Sequence, residues 1–244
     1  MEIIKKISQR EKHPHSAKAP TIVFFGDSVT QGCFEVFTQK DNTVETVYDP
    51  EFAYHKYLSD MIHCFFPASA FNIINAGISG DGTHGAISRM KRDVLTHTPD
   101  LTVVCFGLND AMIGGEDAAN EYGENLRKIF TELTQNNSEV IFMTPNMMCT
   151  NISCHIKENT IMEIAEKATE VQNNGVFTKY ILKAKEVASQ CGVKVCDVYS
   201  KWLKMNEYGV NTTELLANKI NHPTRKMNML FAWSLIETMF DMEE

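Results

Sequence analysis

The chain has 244 residues, of which 43% are hydrophobic and 22% are charged, the composition of an ordinary globular protein with one core. Its net charge is -8 and it has no dense stripe of Lys and Arg, which argues against nucleic acid as a partner. No run reaches the roughly 18 apolar residues of a membrane span. The first 20 residues are polar and lack the apolar centre of a signal peptide. We therefore expect a cytoplasmic protein with an N-terminal extension, residues 1–19, and one domain over residues 20–244.

The seven cysteines are an odd number in a chain without a secretory signal, which predicts free thiols. Four residues separate Cys149 from Cys154 and Cys191 from Cys196, a spacing that some zinc sites use. A free cysteine is more often a small buried hydrophobe. We therefore predict neither a metal nor another cofactor.

Alternating strand and helix patterns run through most of the chain. Five short apolar runs predict strands that are buried on both faces of a parallel sheet: 21–25, 71–75, 101–106, 140–144 and 193–198. Patterns with helical spacing lie after them: 52–65, 85–96, 117–135, 176–190 and about 224–240. This alternation predicts a flavodoxin-like three-layer α/β sandwich with strand order 2-1-3-4-5. Residues 145–175 are compatible with a long active-site loop, a short helix pair or a lid.

Three loops rich in Gly, Asn and Ser follow the first three predicted strands, at residues 26–32, 75–82 and 107–110. In an open parallel sheet, ligands bind beyond the carboxyl ends of the strands, where the strand order reverses. The three loops should therefore meet at one crevice.

The residues of these loops are suited to acyl transfer. Ser28, at a strand-to-helix turn, can expose a nucleophilic hydroxyl. Gly80 lets a backbone amide approach a ligand, and Asn109 offers a neutral N–H donor, as oxyanion holes often do. His222, held on a turn by Pro223, is a candidate base.

Four short motifs carry a family resemblance: Gly-Asp-Ser at 26–28, Gly-Ile-Ser-Gly-Asp at 77–81, Gly-Leu-Asn-Asp at 107–110 and His-Pro at 222–223. In this order and at these strand ends they resemble the motif blocks of the SGNH or GDSL hydrolases. The resemblance spans about residues 20–240. It implies Ser28 as the nucleophile, His222 as general base and acid, and an oxyanion hole formed by the amides of Ser28 and Gly80 with the side chain of Asn109.

One position departs from that family pattern. SGNH hydrolases usually carry an Asp three residues before the histidine, and this chain has Lys219 there. Because a lysine cannot accept a hydrogen bond, another group must orient the imidazole. Three possibilities are open: a backbone carbonyl near residues 218–220, the side-chain oxygen of Asn218, or no orienting group. We favour the carbonyl and expect a slower enzyme than one that has the Asp.

The resemblance implies a small-molecule ester as the substrate, and the mixed polarity of residues 145–160 favours a small acyl group. The His-Pro ending also resembles the carbohydrate esterases of the family, which favours an acetylated sugar. Four further side chains could contact such a substrate: Asp27, Thr30, His84 and Met147. Two alternatives are a lysophospholipase or acyl-thioesterase with the same site, and a non-catalytic binding module with a degenerate triad. The sequence does not indicate the oligomeric state.

Overall fold

The computed structural model of the protein describes residues 1–41 and 43–242. Within them, five parallel strands form the central sheet and two further strands pair as an antiparallel hairpin. The strands are, in chain order, β1 (Thr21–Gly26), β2 (Cys33–Thr38), β3 (Val44–Tyr48), β4 (Asn72–Gly77), β5 (Leu101–Cys105), β6 (Glu139–Met143) and β7 (Lys194–Cys196).

The α-helices are α1 (Glu2–Lys12), α2 (Ser28–Gln31), α3 (Tyr54–Phe65), α4 (Thr83–Asp93), α5 (Leu108–Gly114), α6 (Ala119–Gln135), α7 (Asn159–Asn173), α8 (Val176–Gln190), α9 (Val198–Glu207) and α10 (Asn228–Phe240). Helices follow every strand of the central sheet, as the crossover connections between parallel strands require. Helix α10 packs on α3, and α6 packs on both α4 and α8. None of the helices described is both long and apolar enough to cross a membrane.

The central sheet has the strand order β4-β1-β5-β6-β7. Counted along the chain, this is the predicted order 2-1-3-4-5, so the predicted fold is confirmed. The interior strands β1 and β5 are buried throughout. Strands β4 and β7 are largely exposed or half-buried, so the prediction that every strand is buried on both faces is wrong for them. The reason is that both lie at an edge of the sheet and have a neighbouring strand on one side only.

The hairpin of β2 and β3 lies outside the central sheet and was not predicted. Its residues are mostly half-buried or exposed, so it lacks the continuous apolar run that indicated the other strands. The pairing changes register between Cys33 and Val36, where β2 has one residue more than β3. Such a bulge disrupts the ladder and redirects the backbone groups beside it.

The predicted N-terminal extension contains helix α1, which packs against the domain. Ile3 and Ile7 are completely buried in the common core. The Ile3 amide donates to the Glu139 carboxylate at 2.7 Å, and the Ser69 hydroxyl donates to the Ile7 carbonyl at 2.8 Å.

Residues 145–149 form a buried connection after β6, and α7 follows ten residues later. Asn146 Nδ2 donates to the carbonyl of Asn221 at 2.9 Å, and the Cys149 amide donates to the carbonyl of Ile220 at 2.7 Å. This segment therefore supports the loop that precedes His222.

Candidate active site

Ser28 begins the short helix α2 directly after β1. The Asp27 carboxylate caps this helix by accepting from the Val29 amide at 3.0 Å. The turn at Gly26 is tight, because an added Cβ would lie 2.7 Å from the backbone oxygen of Cys105. The tight turn at Gly26 and the Asp27 cap of α2 together hold the Ser28 hydroxyl at the carboxyl end of the sheet.

Ser28 and His222 form a hydrogen bond although 194 positions separate them: His222 Nε2 lies 2.9 Å from Ser28 Oγ. The other ring nitrogen, Nδ1, lies 2.9 Å from the backbone oxygen of Phe34. Because a carbonyl oxygen can only accept, Nδ1 carries the proton and Nε2 accepts from the Ser28 hydroxyl. This is the tautomer that a general base needs.

The group that orients the imidazole is a backbone carbonyl, as the sequence led us to expect, but it comes from a different part of the chain. We expected a carbonyl near residues 218–220, and the structure has that of Phe34 on β2. Phe34 lies in the bulge between Cys33 and Val36, where the β2–β3 ladder is irregular. The sequence could not indicate this carbonyl, because the hairpin that carries it has no clear strand pattern.

Asn218 and Lys219 shape the loop that carries His222. The Asn218 side-chain oxygen accepts from three successive backbone amides, the last of them that of His222 at 2.9 Å. Lys219 has a φ of 59°, and its Nζ lies 2.9 Å from the Glu214 carboxylate. The side chain at the usual Asp position is therefore engaged elsewhere, and the Asn218 oxygen binds backbone amides instead of the ring.

Gly80, on the loop after β4, and Asn109, in the first turn of α5, are both tied to this turn. The Ser79 amide donates to the Gln31 side chain at 2.6 Å, which fastens the Gly80 loop to α2. Gly80 has a φ of 78°, a conformation that favours glycine. Asn109 Nδ2 donates one of its two N–H groups to the Asp81 carbonyl at 2.8 Å. The three loops that we expected to meet are thus linked by hydrogen bonds.

Arg89 on α4 also holds this region together, and the sequence analysis missed it. Its guanidinium donates to the Asp81 carboxylate at 2.6 Å and to the carbonyls of Ala76 at 2.7 Å and Gly26 at 3.0 Å. It thereby joins the ends of β4 and β1 to the Gly80 loop. The sequence held one indication that Arg89 is buried: it lies three residues after Ala86 in a predicted helix, so both side chains are on the same face, and Ala86 is buried.

Burial sets the protonation of two groups in the site. It lowers the pKa of His222 to about 4, with the Phe34 carbonyl and the Glu35 charge opposing the shift. His222 is therefore neutral at neutral pH, as a base must be. Burial also raises the pKa of Asp27 to about 7, against the Val29 hydrogen bond. Asp27 Oδ2 has no hydrogen-bond partner among the described residues, which agrees with a carboxyl that holds its proton.

The free energy of unfolding of the Asp27→Asn variant should increase relative to that of the wild-type protein as the pH rises. The pKa of Asp27 is higher in the folded protein than its ordinary value of 3.8, so its stabilising contribution is complete below that value and is lost as the pH rises through about 7. Asparagine does not titrate, so the variant should gain about 4 kcal/mol relative to wild type between pH 4 and 8.5. Urea unfolding of both proteins at the two pH values measures this gain.

The exposed Asp117 provides the matched control, since its asparagine variant should follow wild type at both pH values. A stability difference between D27N and wild type that does not change with pH would mean that Asp27 is ionised throughout this range.

Two of the four predicted substrate contacts are packed in the interior. Thr30 is completely buried and its Oγ1 lies 2.8 Å from the Tyr54 hydroxyl, and Met147 is a core residue. Neither side chain borders the cavity beside Asn109. His84 is exposed and borders, together with Asn109, a cavity of about 280 Å³. Asp27 lies next to Ser28 but is buried.

No group of three or more His, Cys, Asp or Glu side chains that could hold a metal ion occurs within residues 1–41 and 43–242. Of the cysteines in the two pairs considered above, Cys149 and Cys196 are buried, Cys191 is half-buried and Cys154 is exposed.

A parallel α/β sandwich with a Ser–His pair beyond the carboxyl ends of its strands is an arrangement typical of serine hydrolases. Residues 24–230 match the model of the GDSL-like lipase/acylhydrolase family, and the chain belongs to this family. The resemblance that we inferred from the four motifs is thereby confirmed.

Individual relatives are distant. An acetylxylan esterase of Geobacillus stearothermophilus is 24% identical over 132 residues, which are 51% of this chain and 58% of that protein, less than two thirds of its length. Among solved structures, a lipase/acylhydrolase from Enterococcus faecalis has a TM-score of 0.65 at 21% identity, with 92% of this chain and 97% of that chain covered. The structure of an acetylxylan esterase from Geobacillus stearothermophilus has a TM-score of 0.66 at 18% identity, with 90% and 94% covered. At this identity the structural matches show the shared fold.

Proposed function

We propose that this protein is a serine esterase that removes a small acyl group, an acetyl group, from a carbohydrate ester. The observation that carries the proposal is the hydrogen bond between Ser28 Oγ and His222 Nε2, with Nδ1 of the same ring held by a carbonyl. That arrangement is the activated nucleophile of covalent acyl transfer.

In the proposed mechanism, His222 takes the proton of Ser28 as Oγ attacks the ester carbonyl. The negative charge on the carbonyl oxygen is stabilised by the amides of Ser28 and Gly80 and by the second N–H of Asn109. The imidazolium then gives its proton to the leaving alcohol, and an acyl-enzyme remains on Ser28. Water, activated by the same imidazole, releases the acid and restores the free enzyme.

The preference for an acetylated sugar is supported by two observations. The matched relatives include acetylxylan esterases, and a two-domain esterase active on acetylated mannans has a TM-score of 0.69 at 19% identity. Within this chain, residues 145–149, which include Met147, are packed in the interior. They therefore cannot form the wall of a channel for a long acyl chain.

The test compares para-nitrophenyl acetate, butyrate and octanoate with release of acetate from acetylated xylooligosaccharides. We expect kcat/KM to be highest for the acetate ester and to fall by at least about 10-fold for octanoate, because residues 145–149 are packed in the interior and offer the longer chain no wall to lie against. A fluorophosphonate probe should label Ser28, and peptide mapping identifies the modified residue.

A preference for octanoate would favour the lysophospholipase or acyl-thioesterase alternative. Folded protein that neither hydrolyses any of these esters nor reacts with the probe would favour the binding module.

A further inference from the structure

A charged cluster fastens the β2–β3 hairpin to the segment that carries His222. Arg225, three residues after the histidine, donates to both carboxylate oxygens of Glu35 at 2.6 and 3.1 Å. Its Nε also donates to Asp49 at 2.8 Å. The guanidinium carbon lies 4.3 Å from the centre of the Phe34 ring. We call these three charged side chains, Glu35, Asp49 and Arg225, the hairpin clamp.

The hairpin clamp acts on the residue whose carbonyl orients the imidazole. Phe34 and Glu35 are adjacent, and both lie in the bulge of β2. A bulge has lost part of its ladder, so its backbone needs other contacts to hold one position. Arg225 supplies them by binding the Glu35 carboxylate in a two-pronged contact and by covering the Phe34 ring. Phe34 is thus the neighbour of Glu35 in the chain, and His222 lies three residues before Arg225. The ion pair between Glu35 and Arg225 therefore links the segment that carries the Phe34 carbonyl to the segment that carries the imidazole.

The charge of Glu35 is also relevant to catalysis. The Glu35 charge raises the pKa of His222 and opposes the larger effect of burial. Arg225 keeps Glu35 ionised, because their hydrogen bond lowers the pKa of the Glu35 carboxyl.

The other charged or titratable groups near this ring do not provide the same effect. Lys219 is paired with Glu214, and burial raises the pKa of Asp27 to about 7, so Asp27 is protonated in the acid limb near pH 4. Burial also raises the pKa of the Cys33 thiol to about 11, so this thiol is neutral.

We propose that Glu35, held by Arg225, is the positioning residue that compensates for the missing Asp at position 219. It keeps the Phe34 carbonyl against His222 Nδ1 and places a negative charge where it stabilises the imidazolium that forms during acyl transfer. This inference rests on the proposed esterase function. It explains how His222, whose ring is oriented by the neutral carbonyl of Phe34, still has a negative charge nearby, that of Glu35.

The test is the Glu35→Gln variant, which keeps the side chain's shape and removes its charge. We expect kcat/KM for para-nitrophenyl acetate to fall by about 3- to 10-fold, the effect of one unit charge near the protein surface. We also expect the acid limb of the pH profile to move to lower pH, because the imidazolium has lost a stabilising charge. KM should change little, since the proposed role of Glu35 does not involve binding the substrate.

The matched control is Asp49→Asn, which removes an equal charge beside the same Arg225. It should have a smaller effect on the rate than E35Q, because Asp49 is not attached to the Phe34 carbonyl. Thermal unfolding of both variants shows whether they are folded. A purely structural role would lower the melting temperature without moving the acid limb.

An active wild-type protein whose rate and pH profile are unchanged in E35Q, or equally changed in D49N, would overturn the role of Glu35 and leave the esterase function intact. A wild-type protein that hydrolyses none of the esters and does not react with the probe would instead overturn the proposed function.

Discussion

Replacing Ser28 with alanine is expected to lower kcat for ester hydrolysis by about 10⁴- to 10⁶-fold, the loss that follows when a nucleophile acting with its base is removed. The hydroxyl of Ser28 is within 2.9 Å of His222 Nε2, and the proposed acyl-enzyme cannot form without it. Because the change removes one oxygen from a small side chain at a helix start, the fold should persist. Steady-state hydrolysis of para-nitrophenyl acetate and labelling by a fluorophosphonate probe measure the effect.

Ser88 provides a control for this variant. It is an exposed serine on α4 whose hydroxyl donates to the carbonyl of Gly85 at 2.7 Å. Ser88→Ala should keep wild-type activity and labelling. If S28A retained more than about a hundredth of the wild-type kcat, or still reacted with the probe, Ser28 would not be the nucleophile.

Replacing His222 with glutamine should lower kcat by about 10³- to 10⁵-fold, because Ser28 loses the group that accepts its proton. The pH profile gives a second measurement. A general base works only when it is neutral, and burial lowers the pKa of His222 to about 4. The wild-type rate should therefore stay nearly constant from pH 8 down to about 5 and fall only below that.

His155 is a suitable control, since its side chain is 69% exposed. His155→Gln should leave both the rate and the pH profile unchanged. A wild-type acid limb near the ordinary histidine value of 6.5 would contradict the buried imidazole that the structure describes. An H222Q variant with wild-type activity would rule out His222 as the base.

The predicted substrate contacts illustrate what loop position alone can indicate. Thr30 and Met147 follow strand ends, as ligand-binding residues do, but both side chains are packed in the core. His84 follows the Gly80 loop and does border a cavity. Position in sequence places a residue near the crevice, whereas the direction of its side chain depends on the local turn and on its neighbours.

The amino-acid sequence by itself determined the central sheet, its strand order and the four loops that carry Ser28, Gly80, Asn109 and His222. These features depend on apolar runs and helical periods among neighbouring residues, and on the rule that adjacent parallel strands end at the same edge. The sequence also showed that position 219 holds a Lys where the family has an Asp. It followed that the imidazole of His222 needs another hydrogen-bond acceptor.

Only the tertiary structure decided which acceptor takes that place and how the pKa of His222 is set. Every residue has a backbone carbonyl, so no side-chain type could mark that of Phe34 as the partner of the imidazole. Its selection depends on a bulged hairpin and on an ion pair between residues 190 positions apart. Burial is likewise a property of the packed chain, and it moves the pKa of the imidazole because the surrounding protein replaces water.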